Sequence, residues 1–353
     1  MEAALALARQ GIGRVSPNPA VGAVLVCNGE IVGRGTHTWQ GVKHAEVLAL
    51  EEAGPRARGA TLYTTLEPCC HRGRTGPCAD ALITAGVKRV VAAMQDPNPA
   101  VSGQGFERLR SAGIEVVDAP EYAGEAVKLN EAFAHAMRTG RPLVTLKAAL
   151  TLDGKTAARP GDTGWITSEG ARAHAQMLRH ASDAIVTGSG TVLADNPLLT
   201  DRTGLERSRP LLRVVLDSSL NIPIESRIVQ SAAGDVLIAT SRTADSRKRA
   251  ELERRGVRVA SFGGLAGLLR FLGEEKYRAV LIEAGARLNG ALLDSGLVDK
   301  IFFYYAAKIL PGRESLPLAT GETRAREDAI RLEGLTLHDI GPGEFAVEAY
   351  VAR

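Results

Sequence analysis

Short β-branched runs alternate with helical segments through both halves of this chain, and that alternation constrains it to α/β layering. At 353 residues and 45% hydrophobic content, the chain exceeds one ordinary core and suits two packed domains. In the first half the pattern predicts a helix near 2–10, strands near 21–26 and 31–36 and a helix from 44. A strand at 61–65, a helix from 78, a strand at 89–93, further helix and strand to 117, and a long closing helix near 121–138 follow. The boundary is expected at Thr139-Gly140-Arg141-Pro142, where a helix-stopping glycine and a proline precede the fresh strand LVTLKAAL, giving domains 1–140 and 141–353. The second half repeats strand and helix to its end, with strands at DAIVTG, LLRVVLDS, DVLIAT, AVLIEAG and KIFFYYAAKI.

Charge says little about partners, because 43 basic residues against 40 acidic ones leave only +3 and no field of the kind that gathers polyanions. The opening MEAALALARQGIGR reads as an amphipathic helix without the features of a signal peptide. No apolar run approaches a membrane span. A soluble, cytoplasmic chain with no nucleic-acid and no membrane partner is the expectation. All four cysteines (Cys27, Cys69, Cys70, Cys78) precede residue 79, a distribution that suits a metal site or catalytic thiol better than a disulfide framework. Cys27, inside a strand-like run, reads as a core thiol.

The chemistry concentrates in His44-Ala45-Glu46 and in the segment Pro68-Cys69-Cys70-His71-Arg72-Gly73-Arg74-Thr75-Gly76-Pro77-Cys78. Together they resemble a zinc deaminase site, in which one imidazole and two thiolates hold the metal, water takes the fourth position, and a non-ligating glutamate shuttles protons. The H-x-E spacing puts both side chains in the first turn of one helix. A helix N-terminus and a cation both favour thiolate at the following cysteines. The usual spacing is P-C-x-x-C, whereas here eight residues separate Cys69 from Cys78. With Cys70 and His71 also present, spacing leaves the third ligand open.

The strings SPNPAVGAVLV, GRGTH, KHAEVLAL, TLEPCCHRGRTGPC, MQDPNP, TLKAALTLDGK, WITSE, GSGTVLADNPLLT, LDSSL and IEAGARLNGALL occur in that order. They resemble the bifunctional deaminase/reductase family of bacterial riboflavin biosynthesis over nearly the whole chain. The resemblance implies a cytidine-deaminase-like three-layer domain followed by a dihydrofolate-reductase-like domain, with Zn²⁺ and NADPH as cofactors. It implies His44, Cys69 and Cys78 as zinc ligands and Glu46 as the catalytic proton shuttle. It also implies two successive steps on a diaminopyrimidinone carrying a phosphoribosylamino group: deamination of the ring, then reduction of the ribosyl part to a ribityl chain. Two departures from the family pattern, Cys70 where serine is common and Gly76 where proline is common, touch no implied ligand, though Cys70 could compete for metal.

No G-x-G-x-x-G follows the first strand of the second half, so the cofactor does not come from a dinucleotide fingerprint. The resemblance implies cofactor contacts at Ala149, Trp165, Thr191, Asp195 and Ser218. It extends them along Gly285, Ala286, Arg287, Leu288, Asn289, Gly290 and Ala291, where helix N-terminal amides suit an anion. It implies substrate contacts at Asn18 and His37 in the first domain, and at Lys147, Thr163, Arg179, Leu199, Arg202 and Glu283 in the second. A reductase of this fold commonly pairs, so a homo-oligomer, dimer or tetramer, is expected. Two other classes compete: a nucleic-acid editing deaminase, disfavoured by 4% aromatics and the lack of a basic stripe, and a binding protein whose zinc is structural, closed by Cys70 or His71.

Overall fold

The structure is a computed structural model and describes residues 1–353 except Ala100, Thr163, Thr323 and Arg324. By contact the chain divides into one unit of Met1–Arg141 with Glu206–Arg209, and a second of Pro142–Leu205 with Pro210–Arg353. Both units are α/β.

The first unit carries five strands, β1 (Gly22–Cys27), β2 (Glu30–Thr36), β3 (Thr61–Thr64), β4 (Arg89–Ala92) and β5 (Glu115–Asp118), in the order β2-β1-β3-β4-β5. β1 runs antiparallel to β2 and β3, while β3, β4 and β5 are parallel. The β1–β2 hairpin is closed by Asn28-Gly29, both at positive φ (50° and 82°), the pairing that a tight two-residue hairpin turn requires. Helices α1 (Glu2–Arg9), α2 (Ala45–Ala53), α3 (Cys78–Ala85) and α4 (Gln104–Ser111) pack with this sheet. α2 lies directly on β2 because that strand presents Gly33 and Gly35. A methyl group at Gly35 would meet the Ala45 carbonyl oxygen at 1.9 Å, and one at Gly33 the Ala49 oxygen at 2.1 Å. This close approach sets the position of the α2 N-terminus, and with it His44 and Glu46.

The single long helix expected near 121–138 is two helices, α5 (Ala123–Leu129) and α6 (Glu131–Thr139). Asn130 leaves the helical region between them (φ −112°, ψ 14°). Its buried side chain accepts from the Ala20 amide at 2.7 Å and donates to the carbonyls of Ala20 and Ala126. Those bonds replace the helical continuation. Gly140 ends α6 in the left-handed conformation, as a C-terminal glycine does.

In the second unit, a nine-stranded sheet has the order β11-β10-β9-β8-β12-β6-β13-β16-β15. Its strands are β6 (Leu143–Thr151), β8 (Ala184–Gly188), β9 (Leu212–Leu216), β10 (Val236–Ala239), β11 (Val257–Ala260), β12 (Ala279–Glu283), β13 (Lys300–Ala306), β15 (Leu332–Gly341) and β16 (Glu344–Val351). β7 (Lys155–Ala157) and β14 (Leu316–Pro317) form a separate small ribbon. The helices are α7 (Glu169–Ala181), α8 (Ser189–Asp195), α9 (Arg227–Gln230), α10 (Ser246–Arg254), α11 (Leu265–Glu274) and α12 (Ala286–Asp294). Strands β11 to β13 pair in parallel, and both faces are buried, so KIFFYYAAKI reads as one apolar run. On one face Val144, Leu146, Ile282, Ile301 and Phe303 join the main core. On the other, Phe302 and Tyr304 pack with Ala171 and Ala175 of α7.

The chain does not end in alternating strand and helix. It ends in an antiparallel hairpin, β15 with β16, turned at Gly341 and Gly343, which stand at φ 136° and 73°. Among the described residues, no helix is long and apolar enough to cross a membrane.

Candidate functional sites

In the first unit, His44 sits at the N-cap of α2 in an extended conformation, and Glu46 follows in the first turn, so the imidazole stands just outside the helix. Cys78 opens α3, behind Pro77. Cys69 lies in the preceding loop and is not at a helix start; its Sγ accepts the Cys78 backbone N–H at 3.4 Å. Nδ1 of His44 faces both sulfurs, 3.2 Å from Cys78 Sγ and 3.5 Å from Cys69 Sγ. These three ligand atoms lie within 4.8 Å of one another and form the one such group among the described residues. Cys70 turns away, with its Sγ 4.0 Å from Gln104 Oε1.

The electrostatics follow from this packing. The Cys78 hydrogen bond, with help from His44, holds the Cys69 thiol down to about 4 against the effect of burial. Cys78, whose proton makes that bond, is pushed up. Burial first, then the Cys69 charge, pushes the Glu46 carboxyl up to about 7. Glu46 is 4% exposed, with Oε2 3.5 Å from Cys78 Sγ. One imidazole nitrogen, two sulfurs and an adjacent carboxylate with a pKa near neutrality make a donor set that fits zinc and leaves a position open.

His37 stands beside this centre, its ring centroid 5.2 Å from that of His44. His37, buried, is lowered chiefly by desolvation. Its Nδ1 contacts the Lys43 carbonyl at 2.8 Å and its Nε2 the Asn18 side-chain amide at 2.9 Å. A carbonyl only accepts, so Nδ1 carries the proton and Nε2 accepts from Asn18. Sequence reasoning missed Glu67, whose buried carboxylate accepts the amides of Asp96, Gly103, Gly105 and Phe106 at 2.8–3.3 Å. An acid between Leu66 and Pro68 in an otherwise apolar stretch is its only sequence signal.

In the second unit, Glu283 at the end of β12 meets Arg179 of α7 in a fork, Nε to Oε1 at 2.7 Å and Nη2 to Oε2 at 2.9 Å. Lys147 Nζ lies 3.5 Å from the same carboxylate. Burial would raise the Glu283 pKa, but the Lys147 charge and the Arg179 bonds outweigh it and hold it at about 2. Lys147, Ala149 and Trp165 line a cavity of about 160 Å³ together with Thr156, Thr167 and Tyr304. Tyr304 carried no signal inside its apolar run; its hydroxyl is bonded to His174 Nδ1 at 2.8 Å. Trp165 is 72% exposed and is stacked by Arg172, with 4.7 Å to the ring centroid.

The remaining expected positions spread around the strand ends. Thr191 and Asp195 lie on α8, and Ser218 is exposed just beyond β9. Gly285 caps α12 with open space beside it. Ala286, Arg287, Leu288, Asn289, Gly290 and Ala291 form the first turns of α12, but Gly290 has a packing reason of its own, since a Cβ there would meet the Thr320 oxygen at 1.6 Å. Leu199 has its side chain in the core at φ 55°. Arg202 is exposed, its amide held by Gln176. Thr163 lies outside the described residues.

Residues 1–94 match the cytidine and deoxycytidylate deaminase zinc-binding region, and residues 142–343 match the RibD C-terminal domain. Fold and site therefore define a two-part enzyme, a zinc-binding deaminase followed by an NADPH-dependent reductase. Riboflavin biosynthesis protein RibD of Bacillus amyloliquefaciens is 42% identical, over 97% of this chain and 93% of the relative. That of Escherichia coli is 46% identical, over 91% and 90%. The structure of Acinetobacter baumannii RibD matches with a TM-score of 0.90 at 37% identity, covering 100% of this chain and 98% of that one. A Thermotoga maritima diaminohydroxyphosphoribosylaminopyrimidine deaminase/5-amino-6-(5-phosphoribosylamino)uracil reductase gives 0.86 at 37%, covering 100% and 97%. The chain belongs to the RibD family of bifunctional deaminase/reductases in riboflavin biosynthesis.

Proposed function

We propose that the first unit removes the ring amine of a diaminopyrimidinone bearing a phosphoribosylamino group, and that the second then reduces the ribosyl part of the resulting uracil. The observation that carries this reading is Glu46, buried beside the His44, Cys69 and Cys78 donor set. Those three residues would hold zinc, which supplies an acidified water and a Lewis acid when bound. Glu46, poised near neutrality, takes one water proton at its carboxylate and gives it to the ring nitrogen, then carries a second proton, from the hydroxyl now on the attacked ring carbon, to the leaving amine. Neutral His37 fixes the Asn18 amide, and Asn18 Oδ1 is left to accept from the pyrimidine ring.

NADPH, when bound, would supply the hydride that reduces the sugar's anomeric carbon. Its fit rests on two buried atoms without hydrogen-bond partners among the described residues, Thr187 Oγ1 at the end of β8 and Asn289 Oδ1 on α12, together with the open N-terminus of α12 at Gly285. Ala149, Trp165, Thr191, Asp195, Ser218 and the Gly285–Ala291 segment are the proposed cofactor contacts. Lys147 and Glu283 face the sugar and ring, and Lys147 holds the proton at Nζ that ring opening needs. Arg202 takes the terminal phosphate. Arg179, whose fork is filled by Glu283, acts through that carboxylate.

The deaminase domain comprises residues 1–140 and the reductase domain 141–353, in a cytoplasmic homo-oligomer. Edge strand β15, with Leu335 and Leu337 62% and 65% exposed, supports association, since an unpaired apolar edge invites pairing. The test is a two-step assay on purified protein, following ammonia release and then NADPH oxidation with the phosphoribosylated diamine. Release of ammonia without zinc, or no NADPH oxidation after deamination, would overturn the reading.

A further inference from the structure

The chain leaves the second unit after Leu205, contributes Glu206–Arg209 to the first, and returns at Pro210. This segment is seated by its backbone. The Ser208 amide donates to the Gly13 carbonyl at 2.7 Å, and the side-chain amide of Gln40 donates to the carbonyls of Arg207 and Ser208 at 3.1 and 3.0 Å. Arg207, Ser208 and Arg209 are half-buried there, after the exposed stretch 204–206. The ion pair of Arg14 with Glu206 leaves the glutamate 78% exposed and contributes little.

Gln40 belongs to the loop 38–43, between β2 and the N-cap of α2. Other bonds of this loop lead toward the His44, Cys69 and Cys78 donor set. The Trp39 amide donates to the Arg14 carbonyl at 2.9 Å. Its carbonyl accepts from Arg74 Nη1 at 3.1 Å, and the Arg74 guanidinium stacks 4.2 Å over its ring, so the loop is fastened to the cysteine segment. The Lys43 carbonyl receives Nδ1 of His37, the imidazole that in turn accepts from Asn18. Within the loop Val42 stands at φ 63°, a left-handed backbone that a β-branched residue keeps only where surrounding contacts impose it. Gln40 is exposed and stands two positions before it, so its bonds to Arg207 and Ser208 tether the strained loop from the solvent side.

We propose that Gln40 is a positioning residue of the deaminase: by gripping the Arg207 and Ser208 backbone it keeps the 38–43 loop in its strained form, and so keeps the His37–Asn18 pair aligned for the pyrimidine ring. The deaminase is then completed by four residues, 206–209, that the sequence places within the reductase half. This rests on the reading of the first unit as the deaminase, with Asn18 and His37 at its substrate. The effect of Gln40 passes through the Lys43 carbonyl and His37 to Asn18.

The test uses the zinc-loaded full chain and follows ammonia release from the phosphoribosylated diamine for wild type, Gln40→Ala and Gln40→Glu. An ionised carboxylate only accepts, so Gln40→Glu sets two carbonyl oxygens against it. The position is exposed, so both variants keep the fold and the metal, which thermal unfolding and zinc per chain check. The expected result is a KM for the diamine raised ~10-fold in Gln40→Glu with kcat changed less, and a smaller rise in Gln40→Ala. NADPH oxidation with the already deaminated substrate should be unchanged. Made in an Asn18→Ala background, Gln40→Glu should add less than ~2-fold, because a residue acting through Asn18 has nothing left to align. Deamination by Gln40→Glu at the wild-type KM, or its full loss repeated in the Asn18→Ala background, overturns the proposal and leaves Gln40 a structural tether. Wild-type protein that holds zinc yet releases no ammonia overturns the deaminase reading itself, and the proposal with it.

Discussion

Arg179 holds Glu283 by two hydrogen bonds of 2.7 and 2.9 Å while its Nη1 donates to the Thr200 carbonyl at 2.9 Å. One guanidinium thereby joins α7, the end of β12 and the segment that carries Arg202. Both partners are nearly buried, with side chains 11% and 13% exposed, so the pair is screened little by solvent.

Breaking this pair should be costly. Arg179→Ala leaves a buried carboxylate with Lys147 alone, a loss of about 3–5 kcal/mol for a buried ion pair stripped of one member. The pH sign is set by the depressed Glu283 pKa of about 2, below its unfolded value near ~4.3. Its stabilisation is fully present above ~4.3 and is lost as pH falls from there through 2. In Arg179→Ala the folded Glu283 pKa rises toward its unfolded value, so the acid-induced loss should shrink. Urea midpoints of the reductase half between pH 3 and pH 7 check this, and coincident wild-type and variant profiles would contradict it.

Cys78→Ser should lose zinc and all deamination, whereas Cys70→Ser, whose sulfur faces Gln104, should keep both. Even outer partners of a metal ligand are worth about 10–100-fold in affinity, so removal of a thiolate should exceed that. Zinc per chain by elemental analysis decides the matter. Metal loss in Cys70→Ser with retention in Cys78→Ser would reverse the assignment.

Glu46→Gln should retain zinc and fold yet lose at least ~10² in deamination rate, the usual scale for a positioned general acid/base. Reduction of substrate already deaminated should be unaffected. Undiminished ammonia release would move the proton transfers to another group.

Asn130→Ala should destabilise the first unit by about 1–3 kcal/mol, because the Ala20 amide and carbonyl are left buried without their partner. The shift is read as a lower thermal midpoint for the deaminase half. A midpoint unchanged within error would mean that water replaces the side chain.

Arg202→Ala should slow NADPH oxidation with the phosphorylated substrate far more than with its dephosphorylated form, since anchoring a distant phosphate orients a flexible chain for hydride transfer. Equal loss on both substrates would show that Arg202 does not read phosphate.

Alternation along the chain determined the α/β class, because strand and helix periods report which side of a short segment must be buried. The Asn28-Gly29 hairpin and the Gly140 helix stop were equally local, each a matter of backbone that few residues other than glycine and asparagine adopt. His44, Glu46 and the cysteines were legible by type, but which sulfur faces His44 was not: spacing leaves Cys70 and His71 open, and only the fold turns Cys70 toward Gln104. The tertiary structure alone decided that Arg179 belongs to Glu283, 104 positions away, that Glu67 organises four amides, and that Asn130 splits a helix. Each of these depends on strand order and on a buried polar group finding its partner across the core, and in a protein interior such groups are satisfied by whatever the packing brings near rather than by what stands beside them in the chain.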